Sequence, residues 1–325
     1  NFFQRATWSP DGSFLLTSSN DQCARVFQLP TDTLTTAAAT GSPEPLEAFQ
    51  CLRQSHGILA LDWYPHVDYY HPSTWCFVSS TRDHPVHLWN AYTGKVQATY
   101  WAEDDKGQKI AAYALAFHPD GQSLYTGYHD AIHIFDVQRP GMARQTVRLT
   151  PTRNSKAGQK GIVSTIAFNP DRSGLYAVGT FSNSVGLYAD TAPGALLHLK
   201  RPPIGNGLSQ CQFSPCGNYL YLTGRTHYSV FCWDIRQTGK FLFCIDRTLG
   251  TSQRISFDVD PTGQFLASGT REGTVQIYDI SGPLQAQPVT KDPLLVQSFP
   301  GHHDAIGATQ FHPTLPLMAT CSGQR

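Results

Sequence analysis

One short phrase occurs seven times in the chain: an aromatic residue, one intervening residue, then proline, often followed by Asp-Gly. It reads Trp8-Ser9-Pro10-Asp11-Gly12, Trp63-Tyr64-Pro65, Phe117-His118-Pro119-Asp120-Gly121, Phe168-Asn169-Pro170-Asp171, Phe213-Ser214-Pro215-Cys216-Gly217, Phe257 through Pro261 and Gly263, and Phe311-His312-Pro313. The prolines are 55, 54, 51, 45, 46 and 52 residues apart. A period of that size, with four short strand patterns per unit, is the signature of a propeller, because each unit buries its apolar face only against its neighbours. The 325 residues would by length alone suggest two domains. The repeat overrides that and predicts one closed all-β domain over residues 1–325. Its blades are expected at 1–54, 55–107, 108–160, 161–205, 206–252, 253–302 and, incomplete, 303–325.

Charged residues make up 15% of the chain, the net charge is zero and aromatics reach 12%. This balance fits a packed β protein and excludes a disordered or wholly basic chain. No run of 18 apolar residues is present, so no transmembrane helix is expected. The start carries no secretory-leader pattern. It begins on Asn1 rather than Met, and the expectation is a core cut from a longer protein. The eight cysteines, at 23, 51, 76, 211, 216, 232, 244 and 321, form no Cys-x-x-Cys pair. They read as small buried hydrophobes in a reducing compartment, and neither a metal site nor a cofactor is expected.

The second unit shows the strand pattern most clearly. Ile58 to Trp63 reads as the inner strand, Trp75 to Ser79 as the second, Val86 to Trp89 as the third and Val96 to Tyr100 as the outer edge. His56, Thr81, Asp83 and Trp89 match the hydrogen-bonded tetrad of WD-repeat blades, in which buried polar groups satisfy one another. Third-strand endings recur at Val26-Phe27-Gln28, Leu88-Trp89-Asn90, Ile134-Phe135-Asp136, Leu187-Tyr188-Ala189, Cys232-Trp233-Asp234 and Ile277-Tyr278-Asp279. Six endings accompany seven inner strands, so the expected fold is a seven-bladed WD-repeat β-propeller whose last blade is incomplete. Flanking residues are expected to complete the ring, because open strand edges invite foreign pairing.

Two insertions interrupt the repeat. Thr31–Pro45 is low in complexity and is expected to form a mobile loop. Arg148–Lys160 carries Arg148, Arg153, Lys156 and Lys160 and no acid. The turns before inner strands and between second and third strands share one face, where propeller ligands usually dock. These turns hold a surplus of cations on a neutral chain, among them Arg82, Arg225, Arg254, Arg271, Lys156 and Lys160, with Tyr128, Phe181 and Tyr228 nearby. Guanidinium planes and aromatic rings stack on splayed single-stranded bases, and local positive charge neutralises phosphates. In the fifth blade Arg225 and His227 stand where the tetrad would place Ser and Asp.

Some of the text between repeats is not generic to propellers. SSTRDHPVHLWNAYTG at Ser79–Gly94, QRISFDVDPTGQFL at Gln253–Leu266, HPTLPLMATCSGQR at His312–Arg325 and GIVSTIAF at Gly161–Phe168 resemble the telomerase Cajal body protein family. The resemblance implies a non-enzymatic scaffold that binds a loop motif of H/ACA small Cajal body RNAs and telomerase RNA. It also implies contacts with H/ACA ribonucleoprotein proteins, nuclear localisation in Cajal bodies, and neither a membrane nor a small-molecule substrate. Departures from the family lie in the first-blade loop, the third blade and around Leu196–Asn206. The chain has no Gly-rich phosphate loop, nucleophile elbow or His-Glu-x-x-His, so no enzyme is expected. A rival reading is a protein-only adaptor, since Trp233-Asp234-Ile235-Arg236 matches the core of the Trp-Asp-x-Arg signature of cullin-type ubiquitin ligase receptors.

Overall fold

The computed structural model describes residues 2–30, 45–104, 106–152, 155, 158–199, 207–225, 229–237, 240–247, 254–285 and 292–323. Seven antiparallel sheets follow one another along the chain and close into a ring. Blade 2 matches its predicted pattern closely, with strands Ile58–Trp63, Cys76–Thr81, Val86–Asn90 and Lys95–Glu103 in spatial order from centre to rim. Its outer strand is long enough to add the short strand Lys109–Ile110 on one part of its edge and the parallel strand Gly141–Met142 on another. Blades 1, 3, 4, 5 and 6 each have four strands. The seventh sheet has two among the described residues, Ile306–Phe311 and Met318–Ser322. The fold is thus the all-β propeller expected, with one helical turn at Ser281–Gln285 and two three-residue turns of 3-10 helix among the described residues. No described helix is long and apolar enough to cross a membrane.

The recurring phrase is the turn that leads from inner to second strand. The Ser9 N–H donates to the Phe14 carbonyl at 2.8 Å and the Gly12 N–H to the Ser9 carbonyl at 2.9 Å. The same two bonds recur at His118 and Gly121, at Ser214 and Gly217, and at Asp260 and Gly263. The glycine in each has φ between 72° and 78°, a region that costs other residues strain. The aromatic residue ahead of the proline packs across the blade junction, as Trp63 does on Phe14 and Phe117 on Tyr64. Blade 6 shifts this scheme: Val259 holds the aromatic position, and Phe257 lies two residues earlier, 1% exposed.

Apolar clusters span the junctions. Val78 and Leu88 of blade 2 pack with Leu115, Phe117 and Leu124 of blade 3, and Leu187 of blade 4 with Phe213, Leu220 and Leu222 of blade 5. Second strands, covered on both faces, are almost wholly buried.

Polar side chains of the inner strands add a second layer of joining. Asp62 accepts the Phe117 N–H at 2.9 Å, Thr165 the Cys211 N–H at 3.2 Å, Gln210 the Phe257 N–H at 3.2 Å and Asp258 the Phe311 N–H at 2.8 Å. Gln310 closes the ring by accepting the Trp8 N–H at 2.7 Å. Between blades 1 and 2 the Trp63 indole donates to the Thr7 carbonyl at 3.1 Å. The junction of blades 3 and 4 uses backbone instead, the Val163 N–H donating to the Tyr128 carbonyl at 2.9 Å. Each clasp satisfies an inner-strand group with the next blade.

Burial pushes the carboxyls of Asp62 and Asp258 up to about 7. The folded state therefore keeps protons that an unfolded carboxyl loses near pH 4, and stability falls as pH rises from about 4 to about 7. Asp62→Asn keeps an oxygen for the Phe117 N–H and removes one titrating group. Chemical denaturation across pH 5–7 is expected to show a shallower decline for this variant, by up to about 1.4 kcal/mol per pH unit for one proton. An unchanged slope would show that Asp62 is ionised in the folded protein at pH 5.

Candidate nucleic-acid interface

Each inner strand runs from the turn-rich face towards the opposite face, so residues at its start stand at the mouth of the central channel. The channel encloses about 400 Å³ and is lined by inner-strand side chains from all seven blades, including Arg5, Asp62, Thr165, Gln210, Arg254 and Gln310. Its opposite mouth is framed by the repeat prolines Pro10, Pro65, Pro119 and Pro170, with His66 and Arg172.

At the turn-rich mouth three arginines form an electrostatically coupled line. Arg225 is exposed on blade 5, and its guanidinium lies over the Phe181 ring at 5.5 Å. The Arg225 N–H is held by the Gly207 carbonyl at 2.9 Å. Arg254 enters the channel wall at the start of blade 6. Burial, together with the charge of Arg225, pulls its guanidinium down to about 10. Arg5 on blade 1 is lowered well below its usual value by burial and by Arg254, and it donates to the Leu59 carbonyl at 2.5 Å. An exposed cation on an aromatic face, backed by two desolvated cations, can stack on a base and neutralise its phosphate.

The other predicted residues are less gathered. Arg82 is exposed on blade 2, across the ring from Arg225, and Arg271 is exposed on blade 6. Lys160 is exposed on blade 4. Lys156, Tyr228, His227, Arg153 and the segment 31–44 lie outside the described residues. Tyr128 is 2% exposed and packs edge-on against His133, so it is a core residue and no stacking platform.

The tetrad reading of blade 2 needs correction. The Trp89 indole donates to Ser79 Oγ at 2.9 Å, and Ser79 Oγ donates to Gln54 Oε1 at 3.3 Å. Gln54, 6% exposed, takes the interior place assigned to His56. His56 is exposed and its ring lies 4.9 Å from that of His84. Asp83 is exposed at φ 59°, at the tip of the turn. Thr81, 2% exposed, pairs through its backbone with Ile58 rather than completing a side-chain square. The physical reason is register. Side chains alternate along a strand, so Ser79, two residues before Thr81, shares its face and lies deeper in the blade.

The same interior place recurs with different chemistry. Gln159 accepts the Tyr188 hydroxyl at 2.7 Å in blade 4, and His302 meets Thr320 Oγ1 at 2.8 Å in blade 7. Arg247, 2% exposed, donates to Thr223 at 2.5 Å and to Ser268 at 3.0 Å, bridging blades 5 and 6. Blade 5 therefore keeps an interior network through Thr223, and Arg225 lies outside it. Arg5 and Gln54 were missed by sequence reading. For Gln54 the available signal was its offset, four residues ahead of Ile58, the same offset by which Gln159 precedes Val163 and His302 precedes Ile306.

In the ubiquitin-ligase-like tetrapeptide, Arg236 forms a two-pronged pair with Asp234, at 3.0 and 2.8 Å, and lies over Tyr219. Its donors are engaged within the blade.

The ring of antiparallel blades, the Trp89–Ser79 lock and the ring-closing seventh sheet define a WD-repeat β-propeller. Family models agree: the WD domain, G-beta repeat, matches residues 5–28 and 294–325, and the seven-bladed lactonase propeller matches residues 165–287. Telomerase Cajal body protein 1 of Mus musculus is 37% identical over 329 residues, covering 100% of this chain and 59% of that protein. The Homo sapiens protein of the same name is 37% identical, with 57% of its length covered. Guanine nucleotide-binding protein negative regulator 1 of Schizosaccharomyces pombe is 31% identical over 340 residues, covering 100% of this chain and 80% of that protein. The chain belongs to the telomerase Cajal body protein family, and it spans less than two thirds of the length of its mammalian relatives.

Gln54→Ala should lower unfolding free energy by about 1–3 kcal/mol, because Ser79 is deprived of its buried acceptor. Asp83→Gly should stay within about 0.5 kcal/mol, since glycine tolerates the positive φ and the exposed side chain packs on nothing. Denaturant unfolding of the two purified variants checks this. The reverse ranking would restore Asp83 to the interior network.

Proposed function

We propose that this chain is a non-enzymatic RNA-binding scaffold of H/ACA ribonucleoproteins. In this reading it holds a single-stranded loop of small Cajal body RNAs and telomerase RNA, and directs them to nuclear Cajal bodies in support of telomerase assembly. Protein components of those particles are further partners. The observation that carries the reading is the placement of Arg225 over Phe181, with desolvated Arg254 behind it at the channel mouth. A base splayed from a loop finds an aromatic and a guanidinium plane at the rim, and its phosphates find cations. Membership in a family whose relatives carry telomerase and Cajal body in their names supports the choice of RNA. The channel's polar side chains are engaged in joining blades, which suits a scaffold better than a reaction centre. The adaptor reading is weakened by Arg236, whose guanidinium is already paired with Asp234.

Replacing Arg82, Arg225, Arg254 and Arg271 together by Gln should leave the far-ultraviolet circular dichroism spectrum unchanged and weaken binding to a labelled H/ACA loop RNA. The slope of log affinity against log salt should become shallower by roughly 0.7 for each phosphate that is no longer neutralised. A folded quadruple variant with wild-type affinity and salt slope would place the RNA elsewhere, with Lys160 and its neighbours next to be mutated.

A further inference from the structure

Two features of the turn-rich mouth are not explained by the fold. The first is an uncompensated pair of cations. Arg5 and Arg254 both line the channel, each is part-buried, and the charge of Arg254 acts against that of Arg5, whose one printed partner is the neutral Leu59 carbonyl. Among the described residues neither forms an ion pair with a carboxylate. The two channel carboxyls are engaged elsewhere, Asp62 with the Phe117 N–H and Asp258 with the Phe311 N–H and the Gln212 amide at 2.7 Å. Part-buried charge without a counter-charge is costly, and proteins tolerate it where a ligand supplies the missing charge.

The second feature is Gly307 on blade 7, the blade between those that carry the two arginines. It lines the channel, its φ is not in the left-handed region, and a Cβ there would meet only the carbonyls of Gln4 at 3.5 Å, Phe3 at 3.9 Å and Arg254 at 4.0 Å. Neither strain nor packing requires glycine. What glycine leaves is open channel wall on the blade between those that carry Arg5 and Arg254. The cavity behind it, about 400 Å³, falls within the roughly 300–1,000 Å³ of small-ligand sites.

We propose that Arg5, Arg254 and the open wall at Gly307 form a phosphate-binding site at the turn-rich mouth of the channel. Guanidinium forks match phosphate oxygens in geometry as well as charge, which favours phosphate over a monovalent anion such as chloride. The phosphate has two sources of the same chemistry: a phosphodiester or terminal phosphate of bound RNA, or a free phosphate. The first source rests on the RNA reading above; the site itself does not.

The test titrates the purified chain with inorganic phosphate at constant ionic strength, with chloride as the balancing anion, and reads the melting midpoint. A ligand that binds only the folded state raises that midpoint with concentration. The wild type should show the rise. Arg254→Gln, and independently Gly307→Asp, which places a carboxylate beside the guanidiniums, should need at least tenfold more phosphate for the same rise. Lys95→Gln, on the outer strand of blade 2, should match the wild type. If one channel variant fails to fold, the other carries the test. No phosphate-dependent rise in the wild type, or an equal rise in all variants, overturns the site, even if loop RNA still binds. A phosphate response without RNA binding sinks the RNA reading and leaves the site standing. Where both bind, disappearance of the phosphate response on saturation with loop RNA assigns the phosphate to RNA. An additive response assigns it to a free ligand.

Discussion

The structure depends on how each inner strand is tied to the next. A propeller's blades have no covalent link at the hub except through long excursions to the rim. The contacts that define the ring are lateral ones between neighbouring blades. Here apolar packing across each junction supplies most of the burial, and a polar clasp fixes the register. Asp62, Gln210, Asp258 and Gln310 each take a backbone N–H of the following blade, and Gln310 does so across the closure from blade 7 to blade 1. His312 strengthens that closure by meeting the Gly12 carbonyl at 2.9 Å. A two-stranded seventh sheet is thereby enough to join the ring among the described residues.

The clasps also divide the channel into two chemical halves. Towards the proline-framed mouth, the polar groups of the hub are satisfied by the fold. At the turn-rich mouth, Arg254 and Arg5 are part-buried with no acid paired to them among the described residues, and Arg225 continues the line of charge to the rim. Overall neutrality therefore hides a local asymmetry. A nucleic acid approaching a neutral protein responds to that local field, within about a Debye length, rather than to the net charge.

The architecture was legible in the sequence because the turn phrase needs particular residues for a physical reason. Pro pre-sets one torsion, Gly supplies the positive φ at Gly12, Gly121, Gly217 and Gly263, and the aromatic packs across the junction. Those demands repeat with the blade, so they appear as a period. The interior locks were less legible because their chemistry varies while their geometry does not. Gln54, Gln159, Arg247 and His302 do related work with three different functional groups, and a search for histidine finds only the last. In blade 2 it finds His56 instead, two residues downstream and exposed. The candidate site was half legible. Arg225 and Arg254 stand in turns, where polarity is conspicuous. Arg5 sits inside a strand, and nothing in its neighbours' pattern tells that its side chain faces a channel rather than solvent.

Amide hydrogen exchange of the native protein addresses the ring of clasps most directly. The N–H groups of Trp8, Phe117, Phe257 and Phe311 should exchange only through global unfolding, with protection equal to the full unfolding free energy and above that of outer-strand amides such as those of residues 294–299. Exchange of these four amides at the rate of the outer strands, or opening of the Trp8–Gln310 closure well before the other junctions, would contradict the account.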